Sequence, residues 1–445
     1  MEKRANKFKS EYQLCGLRVL AFFNKHILLI IAILVTLIAL AIRYAFVLYP
    51  TNDVAGIVFS WMKNIQKVGF TKFWTVDNDY LPFYMFMIDL LCLLPNGQEI
   101  TLNGFTFYQN WMYYLKTIFF ITDILSAFGF YLIVKRLTQD KTKAVLAYCL
   151  FLALPVELTN SAVWGNCDSF YFCAFVYIIY FTLKKKDGLV YYLLGVAFAL
   201  KMQAVFIFPF IVYLILNRKL KLWPIVFFFV GWLASYLPSW CFGAPFSQPF
   251  MAIQTQVGRF SDLTLGCANM WHLMNFSSGA MSTIRKGATL FGLLFIGLCL
   301  ALVYLRKISL TETNLVLISV FLIGIVPFFL PYMHERYFYP LEALVVVFAL
   351  LQGKRYWMIA AMQVSGGISY YHYLSGKYFI SSMGEDSVSI ASAINLVVLG
   401  VILYDLYHLE KGPSPKEESL LLTKEADDLK KQINSSKDSN QTVTK

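Results

Sequence analysis

The chain has 445 residues, of which 58% are apolar and 14% charged, with a mean hydropathy of +0.59 and a net charge of +12. Soluble globular chains are about 45–50% apolar, so the composition excludes an ordinary soluble domain and indicates a membrane protein. The basic residues sit in short loops between apolar runs, the positive-inside pattern, which argues against a nucleic-acid surface.

Residues 1–26 are basic and lack the small-residue cleavage site of a signal peptide, so they are expected in the cytoplasm. The first span is expected from Ile27 to Leu48. Residues 49–112 read as one large external loop. Making "YLPFYMFMIDLLCLLP" (80–95) a crossing would put the basic "KRLTQDKTK" (135–143) outside, so the loop's helices are expected to lie on the membrane surface. Further spans are expected near 114–134, 144–160, 168–183, 222–240, 287–305, 315–331, 338–351, 356–373 and 388–407. Segment 189–216 lies between the basic loops "KKKDG" and "NRKLK". It is expected to break near "LKMQ" (200–203), a break tolerated only where it lines a cavity. The expected fold is an all-α polytopic membrane protein, with about 12 transmembrane helices at roughly 20 residues per crossing. This bundle occupies residues 27–407, both termini are inside, and a charged cytoplasmic tail covers 408–445. The eight cysteines (15, 92, 149, 167, 173, 241, 267 and 299) have neither disulfide-framework nor metal-ligand spacing, and no cofactor or metal is expected.

On this map every unusual polar cluster falls on the external side. Asp53, just after the first span, reads either as a helix N-cap or as a general base facing a membrane-bound substrate. Trp164 in "WGNCD" is an interfacial belt residue or a stacking platform for a sugar, and Asp168 is a cap or a site residue. Lys201 and Gln203 interrupt an apolar run. A lysine there either snorkels to the surface or offers a cation to an anionic group at membrane depth. His334, Glu335 and Arg336 stand together in "MHERYFYP" (333–340), as a structural Glu–Arg bridge or as a polar site. Arginine can grip a phosphate with two parallel hydrogen bonds, so Arg336 with His334 is expected to hold a donor phosphate.

No nucleotide loop or metal cluster is present, and a sugar on a polyprenyl phosphate suits this pattern. Its lipid stays in the membrane, cations hold the charge growing on the phosphate, and a carboxylate takes the acceptor's proton. The ordered set Asp53, Trp61, Gly69, "YLPFY" (Tyr80–Tyr84), "WGNCDSFY", "ALKMQAVFIFP", "NMW" and "MHERYFYP" resembles the bacterial GT-C membrane glycosyltransferases. The nearest subgroup is the mannosyltransferases related to GPI-anchor mannosyltransferase II. The resemblance covers about residues 25 to 405. It implies a multi-span fold, a catalytic carboxylate in the first external loop at Asp53, a polyprenyl-phosphate-linked donor and inverting transfer to a glycan or glycolipid acceptor. Tyr80, Trp164, Asp168, Lys201, Gln203, His334, Glu335 and Arg336 are then the expected substrate-binding residues. The membrane would be a cell membrane and the site would face outward. "WGNCD" has Asn-Cys where similar sequences often have Gln plus a bulky residue, and "YLPFY" has one proline where two are common, so the sugar stays open. The competing expectation is a transporter or flippase for a lipid-linked saccharide or other polar solute. It also needs cavity-lining charges and a broken helix, but has no use for the long external loop. A scaffold acting through the charged tail is a third.

Overall fold

The structure, a computed structural model, describes residues 2–78, 80–256, 262–274, 278–377, 379–384 and 386–412. The tail from 413 to 445 lies outside the described residues. In chain order come α1 (Glu2–Ala45), a wide π-helical turn (Asn52–Val58), α2 (Phe59–Val68), α3 (Pro82–Cys92) and the hairpin β1 (Glu99–Leu102) with β2 (Phe105–Tyr108). Then follow α4 (Gln109–Thr138), α5 (Lys141–Ala153), α6 (Pro155–Leu158), α7 (Asp168–Leu183), α8 (Asp187–Leu200), α9 (Phe208–Leu216), α10 (Val226–Ala234), α11 (Leu237–Cys241) and α12 (Gln248–Gln256). Strand β3 (Thr264–Leu265), α13 (Met270–Met274), α14 (Ser278–Leu305), α15 (Glu312–Phe329), β4 (Met333–His334), α16 (Tyr339–Gln352), α17 (Trp357–Ser375) and α18 (Asp386–Tyr407) complete it.

The helical character is as expected, but the count of 12 spans is not. Among the described residues, five helices are long and apolar enough to cross a membrane: Ala21–Ala45, Gln109–Thr138, Gly287–Leu305, Glu312–Phe329 and Asp386–Tyr407. A sixth is the pair Lys141–Ala153 and Pro155–Trp164, bent by 49°. The expected spans at 168–183 and 338–351 fall short. At about 1.5 Å per residue, α7 reaches only ~24 Å and α16 ~21 Å against a hydrocarbon core of about 30 Å. Their apolarity reflects burial within the bundle. α15 and α16 are buried on every side from Leu315 to Phe328 and from Tyr339 to Leu350, and they form its centre. Around them pack α4, α5, α7, α9, α17 and α18.

Local chemistry sets the ends. Asp140 caps α5 by accepting the amide protons of Thr142 and Lys143 at 2.7 and 3.2 Å. Proline occupies the first turn of α3, α6, α9 and α16, where its missing N–H is not needed. α8 and α10 touch backbone to backbone: a Cβ at Gly195 would lie 2.1 Å from the Phe228 carbonyl oxygen. α8 stops at Leu200, Lys201 is extended (φ −158°, ψ 139°), and a 3₁₀ turn Met202–Ile207 leads into α9, so the chain breaks at "LKMQ" as expected.

The segment 49–112 is more elaborate than a set of surface helices. Around α2 and α3 it forms its own core, with Trp61, Met62, Phe73, Met85 and Ile88 buried against Trp111 and Leu115 of α4. It also contains the β1–β2 hairpin, which turns on Asn103-Gly104, both with positive φ. Asp89 of α3 is buried, and burial pushes its carboxyl up to about 7. A carboxyl raised in this way binds its proton more tightly folded than unfolded, so its contribution favours the fold at acid pH and is lost as pH rises through 7. We expect Asp89→Asn to raise Tm by about 2–4 °C at pH 8 and by clearly less at pH 5, since the contribution is lost progressively between about pH 4 and pH 7. Thermal melts at the two pH values check this.

Candidate functional site

Three loops converge at one end of the bundle. The first is the turn after α1. Thr51 caps it by accepting the Val54 N–H, and donates its own hydroxyl to the Trp164 carbonyl at 2.8 Å. The second is a wide turn Thr159–Trp164, closed by Gly165 at φ +77°. A Cβ on Gly165 would come within 2.8 Å of both Lys116 Cε and Val54 Cγ2, so only glycine lets the two turns approach. The third is Leu330–Phe338, where Met333–His334 pairs in parallel with Thr264–Leu265. Lys116 of α4, fully buried, binds the first two loops together. Its ammonium donates to the carbonyls of Tyr49 (2.8 Å), Ala162 (2.7 Å) and Val163 (3.3 Å).

The loops enclose a cavity of about 290 Å³. Asp53, Tyr80, Lys201, Gln203, His334 and Arg336 all line it, although they span 284 positions of sequence (53 to 336). Trp61 and Tyr84 extend the wall beside Tyr80, their rings 5.5 and 4.6 Å from it.

Asp53 is not a helix cap. Its Oδ1 accepts the Tyr373 hydroxyl at 2.6 Å and its Oδ2 accepts the Trp164 indole N–H at 2.9 Å, while Arg336 Nη2 lies 3.7 Å from Oδ2. Burial by itself would push this carboxyl up. The Arg336 charge and the two hydrogen bonds outweigh it and hold the carboxyl below its usual range. Asp168 is not a cap either. Lys201 Nζ meets its Oδ1 at 2.5 Å, and Asn160 Nδ2 donates to its Oδ2 at 3.3 Å. Lys201 therefore does not snorkel. It also donates to Asn166 Oδ1 at 3.1 Å and sits over the rings of Tyr80, Tyr171 and Tyr337 at 5.6–6.0 Å. Gln203 donates to the Tyr337 hydroxyl at 2.6 Å.

Two expected roles change. Trp164 is fully buried, stacked on Tyr373 at 4.0 Å with the Arg336 guanidinium 5.0 Å over its ring. Its faces are covered, so it is neither a belt residue nor a sugar platform, and it acts through its indole N–H. Each nitrogen of Arg336 faces a different acid: Nε to Asp168 at 3.4 Å, Nη1 to Glu335 at 3.6 Å and Nη2 to Asp53 at 3.7 Å. The guanidinium is thus turned toward the protein's own carboxylates and not toward a two-point grip on phosphate, and its charge helps to hold the Asp53 carboxyl below its usual range. Glu335 turns to Arg336 and to His334 Nδ1 at 3.5 Å. Burial, reinforced by the Arg336 charge, holds His334 below its usual range against the opposing pull of Glu335.

Tyr373 and Lys116 belong to this arrangement and were not anticipated. Lys116 carries the same signal as Lys201, a lysine inside an apolar run; Tyr373 sits in "SYYHYLSG", where nothing sets one tyrosine apart. Tyr373→Phe keeps the stack on Trp164 and deletes one hydrogen bond to the Asp53 carboxylate. We expect the Asp53 carboxyl titration, followed by infrared difference spectroscopy, to move upward in pH by the equivalent of about 1.4 kcal/mol. An unaltered titration would show that Tyr373 does not tune Asp53.

Comparison with protein-family models gives no match, and comparison with curated proteins gives none either.

Proposed function

We propose that the protein is a GT-C-type membrane glycosyltransferase that moves a sugar from a polyprenyl phosphate to a cell-envelope glycan or glycolipid. The observation that carries this reading is Asp53: a carboxylate on the wall of a partly open cavity, oriented by two neutral donors and kept charged by a nearby guanidinium. A general base needs that combination of accessible lone pair, fixed direction and ionised state. In the reaction, the acceptor hydroxyl oxygen attacks the anomeric carbon while Asp53 takes the hydroxyl proton. The bond from that carbon to the phosphate oxygen breaks with inversion, and its electron pair leaves on the polyprenyl phosphate. Lys201, with one N–H beyond those given to Asp168 and Asn166, and His334 meet the growing phosphate charge; Gln203 and the Trp61–Tyr80–Tyr84 wall meet the sugar and the proximal lipid.

The apolar helices support a place in a membrane, and we put the cavity on the external face of the cell membrane with both termini cytoplasmic. Cysteines introduced at the exposed Asn52 and Thr75 should react with an impermeant maleimide added outside, and those near Lys185 and Lys219 should not. Strong labelling at Lys185 would reverse the map. The biological test is mass spectrometry of cell-envelope glycans with and without the protein: one glycan species should lose a single sugar. An unchanged envelope would contradict the proposal.

One observation favours a second reading. Glu157 and Glu342 are buried in the bundle and have no salt-bridge partner among the described residues, while Arg43 is held by Asp123 at 3.1 Å. Intramembrane carboxyls of this kind occur in proton-coupled carriers, so a transporter or flippase for a lipid-linked saccharide is the alternative.

A further inference from the structure

A second cavity, of about 740 Å³, lies along the middle of α1, between Asn24 and Leu37, and has no part in the reaction proposed above. It is a groove between α1 and the pair α4–α5. Its walls are Ile33, Leu37, Phe128 and Val145, of which Ile33, Leu37 and Phe128 are about half exposed at 50%, 58% and 47%. At its floor the Thr36 and Tyr148 hydroxyls meet at 2.7 Å. Its mouth is basic, formed by Lys25, Lys135 and Lys141 with His26 beside them. No acid lines it, and none of the three lysines has a salt-bridge partner among the described residues. The Asp140 carboxylate, next to Lys141, is taken up in capping α5. Lys135 lies 5.3 Å from the centre of the Tyr131 ring, which holds its ammonium at the mouth.

We propose that this groove binds one anionic phospholipid, its phosphate on the three lysines and an acyl chain along α1. Charge and length both point to that occupant. A cationic mouth over an apolar trough complements an anionic head group on a hydrocarbon tail. The lining from Lys25 to Leu37 covers 13 helical positions, about 18 Å at 1.5 Å per residue, close to the roughly 15 Å half-thickness of a bilayer core. A soluble anion would not use the trough, and a neutral lipid would not use the lysines.

The test uses the full chain in mixed micelles containing equal amounts of phosphatidylglycerol and phosphatidylcholine, with lipid retention counted by native mass spectrometry. We expect one retained phosphatidylglycerol, favoured about ten-fold over phosphatidylcholine. The combined Lys25→Gln, Lys135→Gln, Lys141→Gln variant should lose that preference. Ala32→Trp, which fills the trough and leaves the lysines, should lose the bound lipid while Tm stays near that of the wild type. Equal retention of the two lipids by the wild type overturns the proposal. So does wild-type retention of phosphatidylglycerol by either variant, or a two-copy species that lipid does not displace.

Discussion

Asp53→Asn should lower the rate of sugar transfer by two to four orders of magnitude, about 3–5 kcal/mol of barrier, without unfolding the protein. Asparagine has the same shape and can still accept the Trp164 N–H on its remaining oxygen, so Trp164 and the turn after α1 keep their positions. What it cannot do is take a proton from the acceptor hydroxyl. Its loss of charge also leaves Arg336 with Asp168 and Glu335 as partners, which limits the effect on stability. The comparison to make is turnover and Tm on the same preparation. A well-folded Asp53→Asn protein with ordinary turnover would remove the general base from the mechanism. A protein that melts far earlier would show Asp53 to be chiefly a structural acceptor for Tyr373 and Trp164.

Arg336→Gln should have the second-largest effect, and on two quantities at once. Removing the guanidinium leaves the buried Asp168 and Glu335 and the partly buried Asp53 together with Lys201, hydrogen-bonded to Asp168, and His334 beside them. Breaking a buried ion pair from one side costs about 3–5 kcal/mol. The pH dependence follows from the direction of the Asp53 shift. A carboxyl held below its unfolded value stabilises the fold above that value, and the contribution is lost as pH falls through the folded pKa. In Arg336→Gln the burial that opposes ionisation is no longer outweighed, so the acid limb of both stability and rate moves toward neutrality. Arg336→Lys should fall between, since one ammonium cannot face three carboxylates as the guanidinium does. An acid limb that stays in place while Tm drops would mean Arg336 braces the loops and does not keep Asp53 ionised.

Six of the residues picked out in the sequence share one cavity because each interrupts an apolar context at a loop assigned to the same side. Loop charge and the cost of polar groups at membrane depth are properties of composition and need no tertiary knowledge. The break at Lys201 was legible for the same reason. The span count was not, because apolarity measures removal from water and does not tell lipid from protein. α16 is buried on every face since other helices surround it, and like α7 it is too short to cross alone. Partner choice was also hidden. Whether Trp164 shows its ring or its N–H depends on Tyr373, 209 positions away in sequence, and whether Arg336 keeps a free edge depends on Asp53, Asp168 and Glu335 converging on it. The hairpin at Asn103-Gly104 is a different kind of omission. That dipeptide is a strong two-residue turn signal, and hydropathy took precedence over it.

The most direct measurement is release of polyprenyl phosphate by the purified protein in detergent, from a panel of polyprenyl-phosphate hexoses supplied with a cell-envelope glycolipid extract. Detergent removes any gradient, so a carrier has nothing to do there. The account predicts that one donor is consumed, that polyprenyl phosphate and a glycolipid heavier by one hexose appear in equal amounts, and that Asp53→Asn abolishes both. Consumption of no donor by the wild type, together with gradient-driven movement of a lipid-linked saccharide across proteoliposomes by the same preparation, would contradict it.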